Sequence, residues 1–169
     1  GSISEITPTQ SLHGRSRVDS FKWQIVLDAA AAPKAGGKLF GTEIRNDEGT
    51  GAGYVTGFTR QEFGLRVLFQ VGVPRKYELK IRYRSNSDRN GRVLAGNHLF
   101  FDGVQNLSYE QYINRGTKFP NTLGEWKELI IGEHDFSSGD HLIRLSHSHN
   151  LQLSETSIEV DAFILTPKL

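Results

Sequence analysis

The sequence predicts an all-β protein, an antiparallel β-sandwich of the jelly-roll kind. Apolar and polar residues alternate strictly from Tyr77 to Arg84, and odd positions are mostly apolar from Phe63 to Val71. A period of two buries one face of a strand and wets the other. No helical period persists over about ten residues, the least a packed helix needs. Turn-forming clusters recur at the short spacing of sandwiches and barrels.

In chain order, residues 1–19 (GSISEITPTQSLHGRSRVD) are polar and unpatterned, and read as a linker or N-terminal arm. Gly1-Ser2 is expected to be an expression remnant, and the alternative for the arm is a short strand near Ile3 to Ile6. Residues 20–169 are expected to form the sandwich. Trp23 to Asp28 is apolar and partly β-branched, as a strand should be; Ala29 to Ala32 has helical residues, but Pro33 and Gly36-Gly37 stop it. Lys38 to Ile44 reads as one strand, Asn46 to Gly53 as a turn-rich loop, and Tyr54-Val55 as a further strand. The two clearest strands, Phe63 to Val71 and Tyr77 to Arg84, are joined by a turn at Val73 to Lys76. Asn86 to Gly91 has the composition of a hairpin loop. Strands are then expected over Arg92 to Ala95, His98 to Phe101, Trp126 to Ile131, His141 to His147 and Ser157 to Leu165. Gln105 to Leu123, with Tyr109, Tyr112 and Phe119, reads as a long aromatic connection.

Composition excludes several functions. The 169 residues suffice for one domain with a sizeable core. Lys plus Arg is 20 and Asp plus Glu is 19, a net charge of +1, which argues against a dedicated nucleic-acid binder. No apolar run reaches about 18 residues, so no membrane span is expected. With no cysteine there is no disulfide framework, thiolate zinc site or cysteine nucleophile.

Catalytic signatures are missing as well: neither G-x-S-x-G nor H-E-x-x-H occurs, and no enzymatic activity is expected. Gly51 to Gly57 has the glycines of a dinucleotide fingerprint but the wrong last spacing, and it precedes a strand pattern. Asn86 to Gly91 mimics the start of a calcium loop, yet the twelfth position is Asn97 where a Glu is needed. His147 and His149 would share one face of a strand near His141, but no third ligand is evident, so exposed polar side chains are favoured over a metal site. Glu125 and Glu128 flank Trp126 without the paired geometry a glycosidase needs. Aromatic placement stands out instead. Tyr54 follows a glycine-rich loop and Trp126 follows Leu123-Gly124-Glu125, both at loop–strand junctions where a ring can meet the C–H face of a sugar. The competing reading makes both rings core or rim residues.

Taken in order, a string of segments resembles the family 35 and family 6 carbohydrate-binding modules. Thr50 to Phe58 is similar to their G-Y-V-x-x-F signature, and Glu62-Phe63 with alternating Leu65, Val67, Phe69 and Val71 to the next strand. Tyr77 to Arg84 resembles Y-x-L-x-I-R-Y, His98 to Gly103 resembles L-x-V-N-G, and Gly124 to Leu129 resembles G-x-W-x-x-W. Phe136 to Leu145 is like L-x-x-G-x-N-x-I-x-L, and Ile158 to Leu165 resembles the closing N-x-D-x-I-x-V strand. The match runs from about Trp23 to Thr166, most of the sandwich that the turn spacing predicts.

The resemblance implies a galactose-binding-like sandwich with a non-catalytic role. Tyr54 and Trp126 match the sugar-stacking aromatics of a loop-end cleft. Glu159 falls where the family usually has a hydrogen-bonding Asn, and Asn150 is a substitute. Asp161 matches an acid that holds a structural calcium in many members, with Asp28 the one acid near the N-terminal part of that site. The expected function is targeting of a secreted or extracellular glycan-active enzyme to a polysaccharide, the module being monomeric and fused to a catalytic domain, with no nucleic-acid or membrane partner. Arg84, Arg89, Arg115 and Lys118 are loop cations that could pair with an anionic sugar, although solvated surface is the plainer reading. The alternative function is a receptor- or glycoprotein-binding sandwich domain of a larger protein such as a toxin, because the strand Val160 to Leu165 has a counterpart in the third domain of insecticidal crystal toxins. A small hydrolase is a third reading.

Overall fold

The computed structural model describes residues 16–19, 24–47, 53–85, 97–107, 122–147 and 158–168. Twelve strands are present among them: β1 (Ser16–Asp19), β2 (Gln24–Asp28), β3 (Lys38–Phe40), β4 (Glu43–Arg45), β5 (Tyr54–Thr56), β6 (Gly64–Val71), β7 (Arg75–Arg84), β8 (Asn97–Phe101), β9 (Val104–Leu107), β10 (Lys127–Phe136), β11 (Gly139–His147) and β12 (Glu159–Pro167). A short 3-10 helix, Ala29–Ala35, follows β2; it runs through Pro33, expected to stop it, and ends at Gly36, as the glycine position predicts. Among the described residues no helix is long and apolar enough to cross a membrane.

Two antiparallel sheets form the expected sandwich. One has seven strands; the other has five, in the order β3-β6-β11-β8-β9. In the larger sheet β12 is the hub. Along its whole length it pairs β7, which in turn pairs β10. Its other edge is divided, with Val160 opposite Val55 of β5 and residues Ala162–Leu165 opposite β2. Asp161 is the extra residue of a bulge at the point of division.

Alternation places the core between the sheets. Leu65, Val67, Phe69 and Val71 of β6 face Tyr77, Leu79, Ile81 and Tyr83 of β7, with Ile143, Leu145, Val160, Phe163 and Leu165 among them. Each such side chain contributes about 1.5–3 kcal/mol when fully buried. Phe136 closes one end, packed edge-on to Phe69 at 5.3 Å and Phe101 at 5.7 Å.

Several expectations are corrected. The stretch Lys38 to Ile44 is two strands in different sheets, because the chain turns at Gly41-Thr42, where the Thr42 hydroxyl donates to the Gly64 carbonyl at 2.7 Å. β10 continues past Ile131 to Phe136; the register shift between Ile130 and Gly132 interrupts the period that would have signalled it. Gln105 to Leu107, expected as the start of a long connection, belongs to the strand Val104–Leu107 paired to β8. The boundary at residue 19 also moves, since Ser16–Asp19 pairs with β2 through its backbone and so belongs to the larger sheet. Four residues with Val18 the one apolar side chain give no period to read, and an open sheet edge needs only their N–H and C=O groups. Residues 1–15 and the expected strand Arg92 to Ala95 lie outside the described residues.

Burial pushes the phenols of Tyr54, Tyr77 and Tyr83 above the ordinary value of 10.0. In the unfolded chain these groups lose their protons near pH 10, while the folded chain keeps them. The unfolded state therefore binds fewer protons above that pH, and stability falls as pH rises, by up to ~1.4 kcal/mol per pH unit for each such phenol. Urea midpoints measured from pH 8 to 11 should be level up to about pH 10 and then decline, with the phenolate absorbance of these three residues appearing only on unfolding.

Candidate functional site

At one end of the larger sheet five segments converge: the end of β4, the start of β5, the end of β7, the approach to β10 and the start of β12. Gly53 leads into β5 with φ of +94°, and a side chain there would run into the Arg45 carbonyl, so only glycine lets the chain pass this close before Tyr54. Val55 belongs to the core, so Tyr54 stands on the opposite side of β5, on the outer face of the sheet. Its hydroxyl donates to the Asp47 carboxylate, at 3.0 and 2.9 Å from the two oxygens.

Trp126 is delivered by a tight turn. Leu123 (φ 54°) and Gly124 (φ 81°) are both left-handed, and the Glu125 N–H bonds the Thr122 carbonyl at 3.1 Å. A clasp between two buried residues ties this turn to the end of β7. The Ser85 N–H donates to the Thr122 hydroxyl (2.9 Å), that hydroxyl donates to the Ser85 carbonyl (3.0 Å), and the Thr122 N–H donates to the Ser85 hydroxyl (3.1 Å). The Gly124 N–H adds a bond to the same carbonyl at 2.8 Å. Lys127 lies opposite Tyr83, so the clasp sets Trp126 beside Arg84.

The two predicted aromatics meet, their ring centres 5.5 Å apart and their planes at 64°. The Arg84 guanidinium lies 4.5 Å from the centre of each ring. Its Nε donates to Glu159 Oε1 at 2.7 Å, across a pair fixed by the register of β7 and β12. The Arg84 and Glu159 side chains are 19% and 24% exposed, so both charges are largely withdrawn from water, and each relies on the other to offset its lost hydration. Next to it, Arg82 Nε lies 3.2 Å from Asp161 and its guanidinium 5.9 Å from the Trp126 ring. Burial first, and then the Asp47 bond and the nearby Glu159 charge, raise the Tyr54 phenol, so it is neutral and a donor at ordinary pH. The cluster thus sets an indole beside guanidinium N–H donors and carboxylate acceptors, the groups needed to hold a ligand with apolar faces and many hydroxyls.

The site residues inferred from sequence fall out unevenly. Tyr54 and Trp126 are together, but Tyr54 is 3% exposed and supports the site from beneath, whereas Trp126 is half-buried with surface to spare. Glu159 is present, engaged by Arg84; Asn150 lies outside the described residues, as do Arg89, Arg115, Lys118, Tyr109, Tyr112 and Phe119. Arg84 is the last residue of β7, not a loop cation. For the calcium expectation, Asp28 is placed opposite Ala162, and Asp161 is engaged by Arg82. Among the described residues no three His, Asp or Glu side chains gather as metal ligands. His141 is committed elsewhere, between Asp102 (2.7 Å) and the Ser137 carbonyl (2.6 Å). Sequence reasoning missed Asp47, Arg82 and the Ser85–Thr122 clasp. Only Arg82 had a signal, its even position in an alternating strand.

The chain has the sandwich fold of the family 35 carbohydrate-binding modules. It matches the "CBM35 from Paenibacillus barcinonensis" with a TM-score of 0.63 and 18% identity, over 85% of this chain and 98% of that one. It also matches the Podospora anserina "GH26-CBM35 beta-(1,4)- mannanase" (TM-score 0.60, 17% identity, 86% of this chain) and a Paenibacillus cycloisomaltooligosaccharide glucanotransferase (0.62, 20%, 92%). Of those two longer chains it spans only 28% and 19%. No protein-family model matches the chain, and no curated protein does.

The clasp makes a direct prediction. Thr122→Val removes the hydroxyl and leaves the buried Ser85 N–H without its partner, which should cost about 1–3 kcal/mol in urea unfolding. Thr122→Ser keeps the hydroxyl and should lose less than half as much.

Proposed function

We propose that this chain is a non-catalytic carbohydrate-binding module, extracellular and appended to a glycan-active enzyme that it targets to polysaccharide. One observation supports the reading above others: Trp126, Arg84 and Glu159 converge at the loop end of a sandwich whose fold is that of family 35 modules. A sugar lies with its C–H face on the exposed part of the indole. Its hydroxyls accept from the Arg84 and Arg82 guanidinium groups and donate to Glu159, each of which is already oriented by a neighbour. Binding of this kind needs no bond cleavage, only a preformed surface. Tyr54 fixes the inner edge of the indole and the underside of Arg84. The chain covers only 28% of the Podospora mannanase, which agrees with a module joined to a separate catalytic unit. Calcium at Asp28 and Asp161 is no part of this reading, and binding is expected without it.

A polysaccharide panel probed by affinity electrophoresis and calorimetry tests the proposal. At least one glycan should bind with no release of reducing ends. Trp126→Ala should weaken that binding by about 2 kcal/mol or more, roughly thirtyfold, while circular dichroism stays that of a folded β protein. Normal glycan binding by folded Trp126→Ala, or release of reducing ends, would refute the proposal.

A further inference from the structure

The outer face of the five-stranded sheet has a different chemistry from the loop-end site. Register sets Lys38 of β3 opposite Arg66 of β6, Arg66 opposite Arg144 of β11, and Arg144 opposite Phe100 of β8. All four point away from the core, because Leu65, Val67, Ile143 and Leu145 point into it. Three cations thus lie side by side on three neighbouring strands. Like charges placed directly opposite one another destabilise a sheet. One apolar ring collects them: Phe40 has the Arg144 guanidinium 4.7 Å from its centre, the Lys38 ammonium at 5.3 Å and the Arg66 guanidinium at 5.9 Å. Phe100 lies 5.9 Å from Arg144 on the far side.

No acid among the described residues answers this charge. Among the described residues no ion pair involves Lys38, Arg66 or Arg144. The buried Nε atoms of Arg66 and Arg144 meet no hydrogen-bond partner among the described residues, an arrangement that costs free energy wherever it occurs. The larger sheet shows the contrast: its Lys80, Arg82, Arg84 and Arg45 each meet a carboxylate. In the five strands of the smaller sheet the one acid is Asp140, at the start of β11 and hydrogen-bonded to Gln70.

We propose that the row Lys38, Arg66 and Arg144, flanked by Phe40 and Phe100, is a second ligand site that takes the carboxylate or sulfate groups of an acidic polysaccharide. An oxyanion that draws the guanidinium groups off the Phe40 ring meets both Nε–H and terminal N–H donors, the fork that suits a planar carboxylate or a sulfate. It also separates the like charges. Three cations on adjacent strands span only about 10 Å, and the net charge of the whole chain is +1, which fits a short row of anions on a sugar chain better than the dense phosphates of a nucleic acid. The two Phe rings supply apolar contact for sugar C–H faces. The site rests on the glycan-binding reading above, and it is separate from the residues of the loop-end cluster.

The test uses the whole chain with polygalacturonate, dextran sulfate, a neutral glycan that it binds, and duplex DNA. At least one acidic glycan should bind, weakening by about tenfold or more between low salt and 0.5 M salt as the charges are screened, whereas neutral-glycan binding should hold. Arg66→Gln with Arg144→Gln should lose acidic-glycan binding by about tenfold or more, keep neutral-glycan binding, and melt no lower than the unaltered chain. Arg66→Lys with Arg144→Lys keeps the charge without the fork and should fall between. Acidic-glycan binding that survives the Gln pair overturns the proposal, as does binding of only neutral glycans, or DNA binding as tight as that of the acidic glycan. Should the Gln pair not fold, salt-insensitive binding by the unaltered chain overturns it in the same way. Binding of no glycan at all overturns the loop-end reading too, so the two failures are distinct.

Discussion

The Arg84 guanidinium joins parts of the chain that are far apart in sequence: its own strand, the Tyr54 and Trp126 rings at 4.5 Å, and Glu159 at 2.7 Å. Without it, two aromatic residues and a carboxylate from three different segments would have no common partner. Arginine suits the position where lysine would not, because a flat delocalised cation can lie against two rings while its Nε–H bonds a carboxylate edge-on. Burial strengthens each of these contacts, since water competes poorly for groups about one-fifth exposed. The clasp of Ser85 and Thr122 adds a second anchor one residue further on, so neither Arg84 nor Trp126 is free to swing away from the other.

The two sheets treat charge in opposite ways, and both follow from alternation. Every second residue of a half-buried strand must face out, and in the larger sheet those residues are mixed in sign and pair across strands. In the smaller sheet Lys38, Arg66 and Arg144, outward residues in register on three adjacent strands, share one sign, and an aromatic ring stands where a carboxylate would balance them. The first arrangement organises a site from within; the second leaves charge to be met from outside.

How much was legible in the sequence depended on whether a signal was local. Strict alternation in β7 and near-alternation in β6 revealed the sandwich and most of its core, since a period of two leaves little choice of face. The helix stop at Gly36 and the junction positions of Tyr54 and Trp126 were local signals too. Other features were not. Lys38 to Ile44 hides a change of sheet, because a turn of Gly41 and Thr42 looks like one more step of a strand. Tyr54 reads as an exposed platform from its glycine-rich approach, but its burial under Arg84 depends on strands β7 and β12, which come much later in the chain. Arg84 looked like a loop cation because nothing nearby in sequence names its partners; Glu159 is 75 residues away. The cationic row is likewise invisible until three strands are in register.

The central claim is that Arg84 and Trp126 act as one binding unit. It can be tested directly by nitrogen-15 NMR, following the Arg84 Nε–H and the Trp126 indole N–H while a bound glycan is titrated in. Both signals should shift along a single binding curve, with Arg84 Nε–H well resolved and protected beforehand by its bond to Glu159. If the glycan binds while both signals stay fixed, or if the Arg84 Nε–H exchanges as fast as a solvated arginine in the free protein, the cluster is not the binding unit and the account is wrong.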